Sequence, residues 1–401
     1  MSRWLSIVGI GEDGLDGITP AAQVLVDQAE VLVGGARHLA MIADDHPAER
    51  LPWVPPMAAG AKAVADRRGQ KVCVLATGDP MWFGIGARLA GLVPHDERTI
   101  LPAPSAFSLA AARMGWPLGD VETVTIHGRS LDLLRLHVTP GARLLAMTSD
   151  GKTPAQVAQV LCEMGYGESP ITVLEHMGGT AENRIDGIAD KWNHDVLADL
   201  NTLAIECRAG PDAAVRPRSP GLPDEVFEND GQLTKREVRA VTLAALGPLP
   251  GQRLWDVGAG CGSVAIEWLR AAKGAAAIAI ERDPERAAMI ARNATALGTP
   301  GLNIVTGDAP TALADLDNPD AVFIGGGASV DGLIDVCWEA LGPGGRLVAN
   351  AVTVEGEAAL NRWREKVGGT LTRIAISRTK PLGDMSGWHS LAPVTQWAVT
   401  K

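Results

Sequence analysis

The residues best suited to chemistry cluster in Leu254-Trp255-Asp256-Val257-Gly258-Ala259-Gly260-Cys261-Gly262-Ser263. An apolar run ends on an acid, three glycines follow at alternate positions, and a helical pattern runs over 264–272. Glycines accept positive φ and let a ligand approach the main chain. The helix N-terminus behind them presents unpaired N–H groups. A dinucleotide loop spaces its glycines G-x-G-x-x-G around a pyrophosphate. Here Asp256 stands two residues before Gly258; its carboxylate would repel a pyrophosphate and suits an ammonium or a sulfonium. Glu281 ends the next apolar run, about twenty residues after Gly260, where an acid accepts hydrogen bonds from ribose hydroxyls. Gly307-Asp308-Ala309 follows a third run at 302–305. This set favours S-adenosylmethionine, with S-adenosylhomocysteine as product, over NAD; the alternative is an ordinary αβ turn that binds nothing.

A second series of polar and glycine positions lies in the first half, each at or just beyond a predicted strand end. It comprises Gly9-Ile10-Gly11-Glu12-Asp13-Gly14, Arg37 and His38 after Gly34-Gly35, Thr77-Gly78-Asp79-Pro80, Pro104-Ser105-Ala106, His127-Gly128-Arg129 and Thr148-Ser149. Asp79 either contacts a cofactor or fixes its own turn. Asn350 ends a strand beside the cofactor edge of the second half, as a site residue or a structural one. His176, Lys380 and His389 read as solvated loop positions.

The elements that must position these residues alternate between strands and helices, which means α/β layering. In the first half the predicted strands are 4–10, 30–33, 71–76, 123–126, 143–147, 171–175 and 202–206. A rigid turn within 100–108 precedes a helix at 108–114, Thr19-Pro20 opens a helix to about Ala29, and another helix spans 154–164. Periodicity stops over 211–232, where Pro211, Pro217, Pro220 and Pro223 read as a linker. Strands resume at 253–257, 275–280, 302–305, 321–324, 346–348, 371–376 and 395–399. The expected division is therefore 1–210, a linker at 211–232, and 233–401.

A chain of 401 residues supports a core in each part. A net charge of −11 without a long basic run disfavours nucleic acid. Five scattered cysteines without a C-x-x-C pair indicate a reducing compartment and no zinc site or disulfide framework. No signal pattern occurs in 1–10 and no apolar run approaches the ~18 residues of a membrane span, so a soluble cytoplasmic protein is expected.

Taken in order, the motifs resemble two fused families that serve cobalamin biosynthesis, over essentially the whole chain. The first half is similar to the tetrapyrrole methylases in its first glycine loop, Gly78-Asp79-Pro80, Pro104-Ser105-Ala106, His127-Gly128-Arg129 and Thr148-Ser149. The second is similar to the decarboxylating precorrin methyltransferases in Thr234-Lys235-Arg236-Glu237-Val238-Arg239, the 256–262 loop, Gly307-Asp308-Ala309-Pro310, Phe323-Ile324-Gly325-Gly326-Gly327 and Asn350-Ala351-Val352. The resemblance implies an N-terminal two-lobed tetrapyrrole-methylase domain and a C-terminal doubly wound, Rossmann-like class I methyltransferase domain. It implies methylation of a reduced precorrin-6 at C-5 by the first half. The second half would methylate C-15 and decarboxylate the C-12 acetate, giving precorrin-8.

The implied cofactor contacts are Gly9, Gly11, Gly78, Asp79, Pro80, Ser105, Ala106, Thr148 and Ser149 in one half. In the other they are Thr234, Asp256, Gly258, Gly260, Gly262, Glu281, Asp308 and Ala309. His127, Arg129, Lys235, Arg236 and Asn350 are the implied catalytic or substrate-holding residues. Since that substrate carries many carboxylates, Lys235, Arg236 and Arg239 could hold it; alternatively Thr234-x-x-Glu237 is a capping box whose basic residues only solvate a helix. Two departures stand out: Glu12-Asp13 replaces the Pro-Gly usual in the first loop, and Cys261 sits where Thr is common. Relatives associate, so a homo-oligomer is expected by analogy.

Overall fold

The computed structural model describes residues 3–54 and 56–401; Met1, Ser2 and Pro55 lie outside them. The chain divides into two compact units, Met1–Leu131 with His137–Ala214, and Asp132–Leu136 with Val215–Lys401.

The first unit opens with β1 (Leu5–Ile10), α1 (Pro20–Asp27), β2 (Val31–Gly34), α2 (Ala36–Leu39), β3 (Glu49–Pro52), α3 (Met57–Ala65), β4 (Val72–Thr77), α4 (Ile85–Leu92) and β5 (Arg98–Leu101). These strands make a parallel sheet in the order β3-β2-β4-β1-β5. Both faces are covered, so β1 carries apolar residues on each: Leu5 and Ile7 pack with Val31, Val72 and Val74, while Val8 and Ile10 pack with Leu32, Cys73 and Leu75. As the sequence anticipates, the Thr19 hydroxyl caps α1 by accepting from Ala22 N–H at 3.2 Å, and Pro20 occupies the first turn. β1 and β4 are neighbours whose outgoing connections run to opposite sides, which opens a crevice at their carboxyl ends.

The unit continues with α5 (Ala106–Met114), β6 (Glu122–Thr125), β7 (Arg143–Met147), α6 (Thr153–Glu163), β8 (Pro170–Glu175), β9 (Asn183–Ile188) and β10 (Asn201–Glu206). They form a second, mixed sheet, β6-β7-β10-β8-β9, so this unit has two sheets. β3, β5 and β9 were not expected; all three are edge strands with no buried residue, and leave no long apolar run to read.

The second unit holds α7 (Arg236–Leu246), β11 (Arg253–Val257), α8 (Ser263–Ala271), β12 (Ala276–Glu281), α9 (Pro284–Ala296), β13 (Asn303–Thr306), β14 (Ala321–Ile324), α10 (Leu333–Ala340), β15 (Arg346–Ala351), α11 (Val354–Val367), β16 (Thr370–Ile374), β17 (Ser377–Leu382), β18 (Met385–Ser390) and β19 (Val394–Thr400). Seven strands run β13-β12-β11-β14-β15-β19-β16, parallel except where β19 pairs antiparallel with β15 and β16. The topological switch falls between β11 and β14, beside the glycine loop.

Two expectations change here. The proline-rich 211–232 stretch is not a free linker: from Val215 on it belongs to the second unit, because Leu222 and Phe227 are buried in that unit's core. The hairpin β17–β18, turned at Gly383 with φ of +61°, stands where 371–376 was expected to end the regular structure before 395. Lys380 and His389 are exposed residues of its strands.

Candidate functional site

In the second unit a cavity of about 730 Å³ opens at the β11/β14 switch, within the ~300–1,000 Å³ range of small-molecule sites. Gly258, Gly260, Glu281, Asp308, Ala309, Thr234, Lys235 and Asn350 line it, so eight of the second-half positions singled out from sequence converge. Cys261 also lines it and is buried. Gly258 and Gly260 take φ of +70° and +60°, and a Cβ on Gly258 would meet Gly326 N at 3.1 Å. The glycines thus let two loops close on each other while the main chain faces the cavity.

Glu281 ends β12 with its carboxylate across the loop, Oε2 accepting from Gly260 N–H at 2.8 Å and Oε1 from Asp283 N–H at 3.1 Å. A carboxylate has about four acceptor sites, so capacity remains for two hydroxyls. Asn350 is oriented by neighbours: its Nδ2 donates to Thr242 Oγ1 and its Oδ1 accepts from Gln396 Nε2, both at 3.0 Å. The cavity wall also carries Arg282 and Arg286, which sequence reasoning missed. Their signal was available, one and five residues beyond Glu281 at the same strand end. Arg286 is engaged with Asp230 at 2.8 Å, whereas Lys235 and Arg282 form no ion pair among the described residues.

Four second-half expectations are corrected. Asp256 does not line the cavity. It shares a strand face with Leu254, so alternation turns it beneath α8, where Oδ2 accepts from Ala265 N–H at 2.9 Å. Its Oδ1 is buried without a partner among the described residues, and burial pushes its carboxyl up to about 7. Gly262 also lies off the cavity; it takes φ of +79° before α8 and packs on Ile290. Arg236 is exposed and outside the lining. Arg239 is fully buried, its Nε donating to Glu267 Oε1 at 2.7 Å and its guanidinium 4.7 Å from the Phe227 ring centre, so it is structural.

The capping box fails too. α7 begins after Lys235 with no side-chain cap, and Glu237 instead accepts from Arg378 Nε at 3.1 Å.

In the first unit the expected residues gather at strand ends. Gly9 is pressed against the turns after β4 and β5: a Cβ there would meet Gly78 O at 2.0 Å and Ala103 N at 2.4 Å. Gly78 needs its φ of +58°, and Gly11 leaves space for the Asp13 carboxylate. Asp79 fixes its turn, its Oδ1 accepting from Met81 N–H at 2.8 Å, and Pro80 packs against Gly84 and Gly86. Ser105 caps α5, which starts at Ala106, two residues earlier than expected, by accepting from Ser108 N–H at 3.1 Å.

Thr148 is buried and donates to the carbonyl and Oδ1 of Asn201 at 3.0 and 2.8 Å. Ser149 donates to Ile126 O at 3.0 Å. His127 Nδ1 lies 3.0 Å from Thr148 O, and the Arg129 guanidinium is 5.4 Å from the Phe83 ring centre. A cluster unforeseen in role completes the crevice: Glu12 pairs with both Arg37 and His176, and His38 Nε2 lies 3.2 Å from Thr77 Oγ1. Burial lowers His38 to about 4, with Arg37 assisting, which keeps its ring neutral.

Comparison with known proteins bears directly on these two sites. The family described as "Tetrapyrrole (Corrin/Porphyrin) Methylases" matches residues 5–190, and "Precorrin methyltransferase domain" matches residues 225–401. A protein of Sinorhizobium sp named "Precorrin-6Y C(5,15)-methyltransferase [decarboxylating]" is 49% identical over 401 residues, covering 100% of this chain and 97% of its own. A "Cobalt-precorrin-7 C(5)-methyltransferase" of Salmonella typhimurium is 33% identical, covering 43% of this chain and 85% of its own. A "Probable cobalt-precorrin-6B C(15)-methyltransferase (decarboxylating)" of Pyrobaculum calidifontis is 35% identical over 44% of this chain and 93% of its own. With both halves matched and nearly half of all positions shared along the full length, the chain belongs to the family of decarboxylating precorrin-6Y C(5,15)-methyltransferases.

Proposed function

We propose that this chain methylates a reduced precorrin-6 at C-5 and C-15, with S-adenosylmethionine as donor, and removes the carboxyl of the C-12 acetate in the cytoplasmic synthesis of cobalamin. The observation that carries the reading is the second unit's cavity, where the glycine loop, Glu281, Asp308, Thr234 and Lys235 meet at the switch point of a sheet matched by the precorrin methyltransferase family. C-15 methylation and decarboxylation are assigned to that unit, and C-5 methylation to the first, which the tetrapyrrole methylases match. Relatives that cover less than half of this chain carry names for the separate reactions, which supports two separable activities.

The donor supplies a methyl on a sulfonium that needs no further activation. Around it the chain's own groups have definite tasks. The main chain at Gly258 and Gly260 lets the ligand approach, and Glu281 accepts from ribose hydroxyls. Lys235 and Arg282, without ion pairs among the described residues, are matched to the carboxylates of an acidic macrocycle. Val257, Val330 and Val352 supply apolar wall that strips water from a departing carboxylate. Holding the nucleophilic carbon in line with the methyl is worth roughly 7–11 kcal/mol. Self-association belongs to the same proposal: the hairpin leaves Leu382, Met385 and Trp388 66%, 73% and 78% exposed, an apolar patch of the kind that partners cover.

Mass spectrometry of the product from a defined reduced precorrin-6 tests the function. Two added methyls and one lost carboxyl are expected; an unchanged macrocycle refutes it.

A further inference from the structure

If the first unit methylates C-5, charge balance demands a base there. As the methyl moves, a π pair of the macrocycle forms the new carbon–carbon bond and the carbon–sulfur pair stays on sulfur. The macrocycle gains one positive charge. At C-15, loss of carbon dioxide from a carboxylate returns an electron pair and cancels that charge. At C-5 no carboxyl leaves. The charge is cancelled when the C–H pair of the methylated carbon returns to the ring and the proton passes to a base.

The first unit holds a group arranged for this. His176 follows β8 with φ of +46°, a conformation uncommon outside glycine. Its main chain is pinned: its N–H donates to Leu200 O at 3.1 Å, and its carbonyl accepts from Gly179 N–H at 3.0 Å. Its Nδ1 lies 2.8 Å from Glu12 Oε2, which joins the loop after β8 to the loop after β1. A neutral ring donating from Nδ1 leaves Nε2 as the acceptor, and Nε2 has no partner among the described residues. The His176 side chain is 32% exposed and that of Glu12 is 16% exposed.

The support behind Glu12 is equally definite. Glu12 pairs with Arg37, whose Nη2 donates to Thr77 Oγ1 at 3.3 Å at the end of β4. A Cβ on Gly179 would lie 2.8 Å from Glu12 Cβ, so this glycine lets the two loops meet. Glu12, in the loop after β1, and Arg37, in α2 just after β2, stand beyond the carboxyl ends of those strands, where open α/β sheets bind their ligands.

We propose that His176 is the base that takes the C-5 proton through Nε2, with Glu12 and Arg37 as positioning residues that fix its tautomer and steady the imidazolium. The assignment rests on the proposed C-5 activity of the first unit. Other ionisable groups on the neighbouring elements are His38 on α2, held neutral by burial, Glu175 at the end of β8 and Glu182 just before β9. Glu175 accepts from Ala198 N–H and Asn183 Nδ2, and Glu182 is paired with Arg113, so both are committed elsewhere.

The test uses the full chain, a reduced precorrin-6 and NMR location of each new methyl. His176→Ala should release a C-15-methylated, decarboxylated product while C-5 transfer slows on the order of 10²–10⁴-fold. Donor stoichiometry by calorimetry should not change, and added imidazole should restore part of the C-5 rate. Glu12→Gln should lower kcat for C-5 transfer while leaving the donor's KM unchanged, a split that a merely structural role would not produce. A His176→Ala chain that keeps wild-type C-5 transfer overturns the proposal, as does a loss accompanied by failed donor binding and no imidazole rescue. A wild-type chain that places no methyl at C-5 overturns the assignment itself, and the base with it.

Discussion

Gly260 and Gly262 stand two residues apart in one loop yet meet different constraints. A Cβ at Gly262 would press 2.7 Å from Ile290 Cγ2 in the core, on top of a φ of +79°. At Gly260 the nearest atom would be Gln232 O at 3.4 Å, an ordinary contact on the cavity side. Gly262→Ala should therefore lose more than the ~1–2 kcal/mol of a left-handed backbone, read by urea denaturation. Gly260→Ala should be milder in stability and should instead raise the donor's Kd. Asp256 adds a pH dependence. The unfolded carboxyl ionises near its ordinary 3.8 while the folded one holds its proton to about 7. The folded state thus binds more protons between those values, and stability falls as pH rises from about 4 to 7. Asp256→Asn should remove that fall in a pH series of urea midpoints. The spacing of the loop exposed Asp256 as a special residue, but the ligand argument hid the plainer rule that residues 254 and 256 share one face of a strand. Glu12 and His176 show the opposite failure. They are 164 positions apart, and no local pattern links them.

At the scale of elements, Thr234 and Lys235 line the cavity just before α7 begins, and a buried ion pair holds that helix in place. Arg239 and Glu267 are both buried, and Glu267 also accepts from the N–H groups of Gly221 and Leu222 at 2.7 and 2.9 Å. Removing Glu267 takes the buried carboxylate from Arg239, which keeps Asp224 at 3.3 Å, and leaves two amides without an acceptor. Glu267→Ala should cost on the order of 3 kcal/mol, measured by denaturant unfolding, whereas losing an exposed pair such as Arg292–Glu228 should leave the unfolding midpoint nearly unchanged. The central parallel strands, such as β1, β4, β11 and β12, were legible because burial on both faces makes them largely apolar runs. β17 and β18 were not, since every residue of them is exposed or half-buried. The Gly383-Asp384 turn between them carried the signal that composition did not. The 211–232 segment misled for a related reason: its prolines break periodicity, yet Leu222 and Phe227 suffice to seat it in a core.

For the whole molecule, two family domains in one chain, read under the proposed function, should give two methyl-donor pockets that fail independently. Asp256→Ala frees Ala265 N–H at the start of α8 and loosens the glycine loop, so C-15 methylation and decarboxylation should be lost while C-5 transfer persists on a suitable intermediate, resolved by NMR of the products. With a net charge of −11, the proposed acidic substrate would need local cations, and Lys235 and Arg282 are the ones that the cavity wall offers without ion pairs among the described residues. Counting donor molecules bound per chain by titration calorimetry is the most direct check of the central claim. The account predicts two per wild-type chain, and one for a chain whose second-unit loop is blocked by Gly258→Val, where the side chain would meet Gly326. A wild-type stoichiometry of one would contradict it.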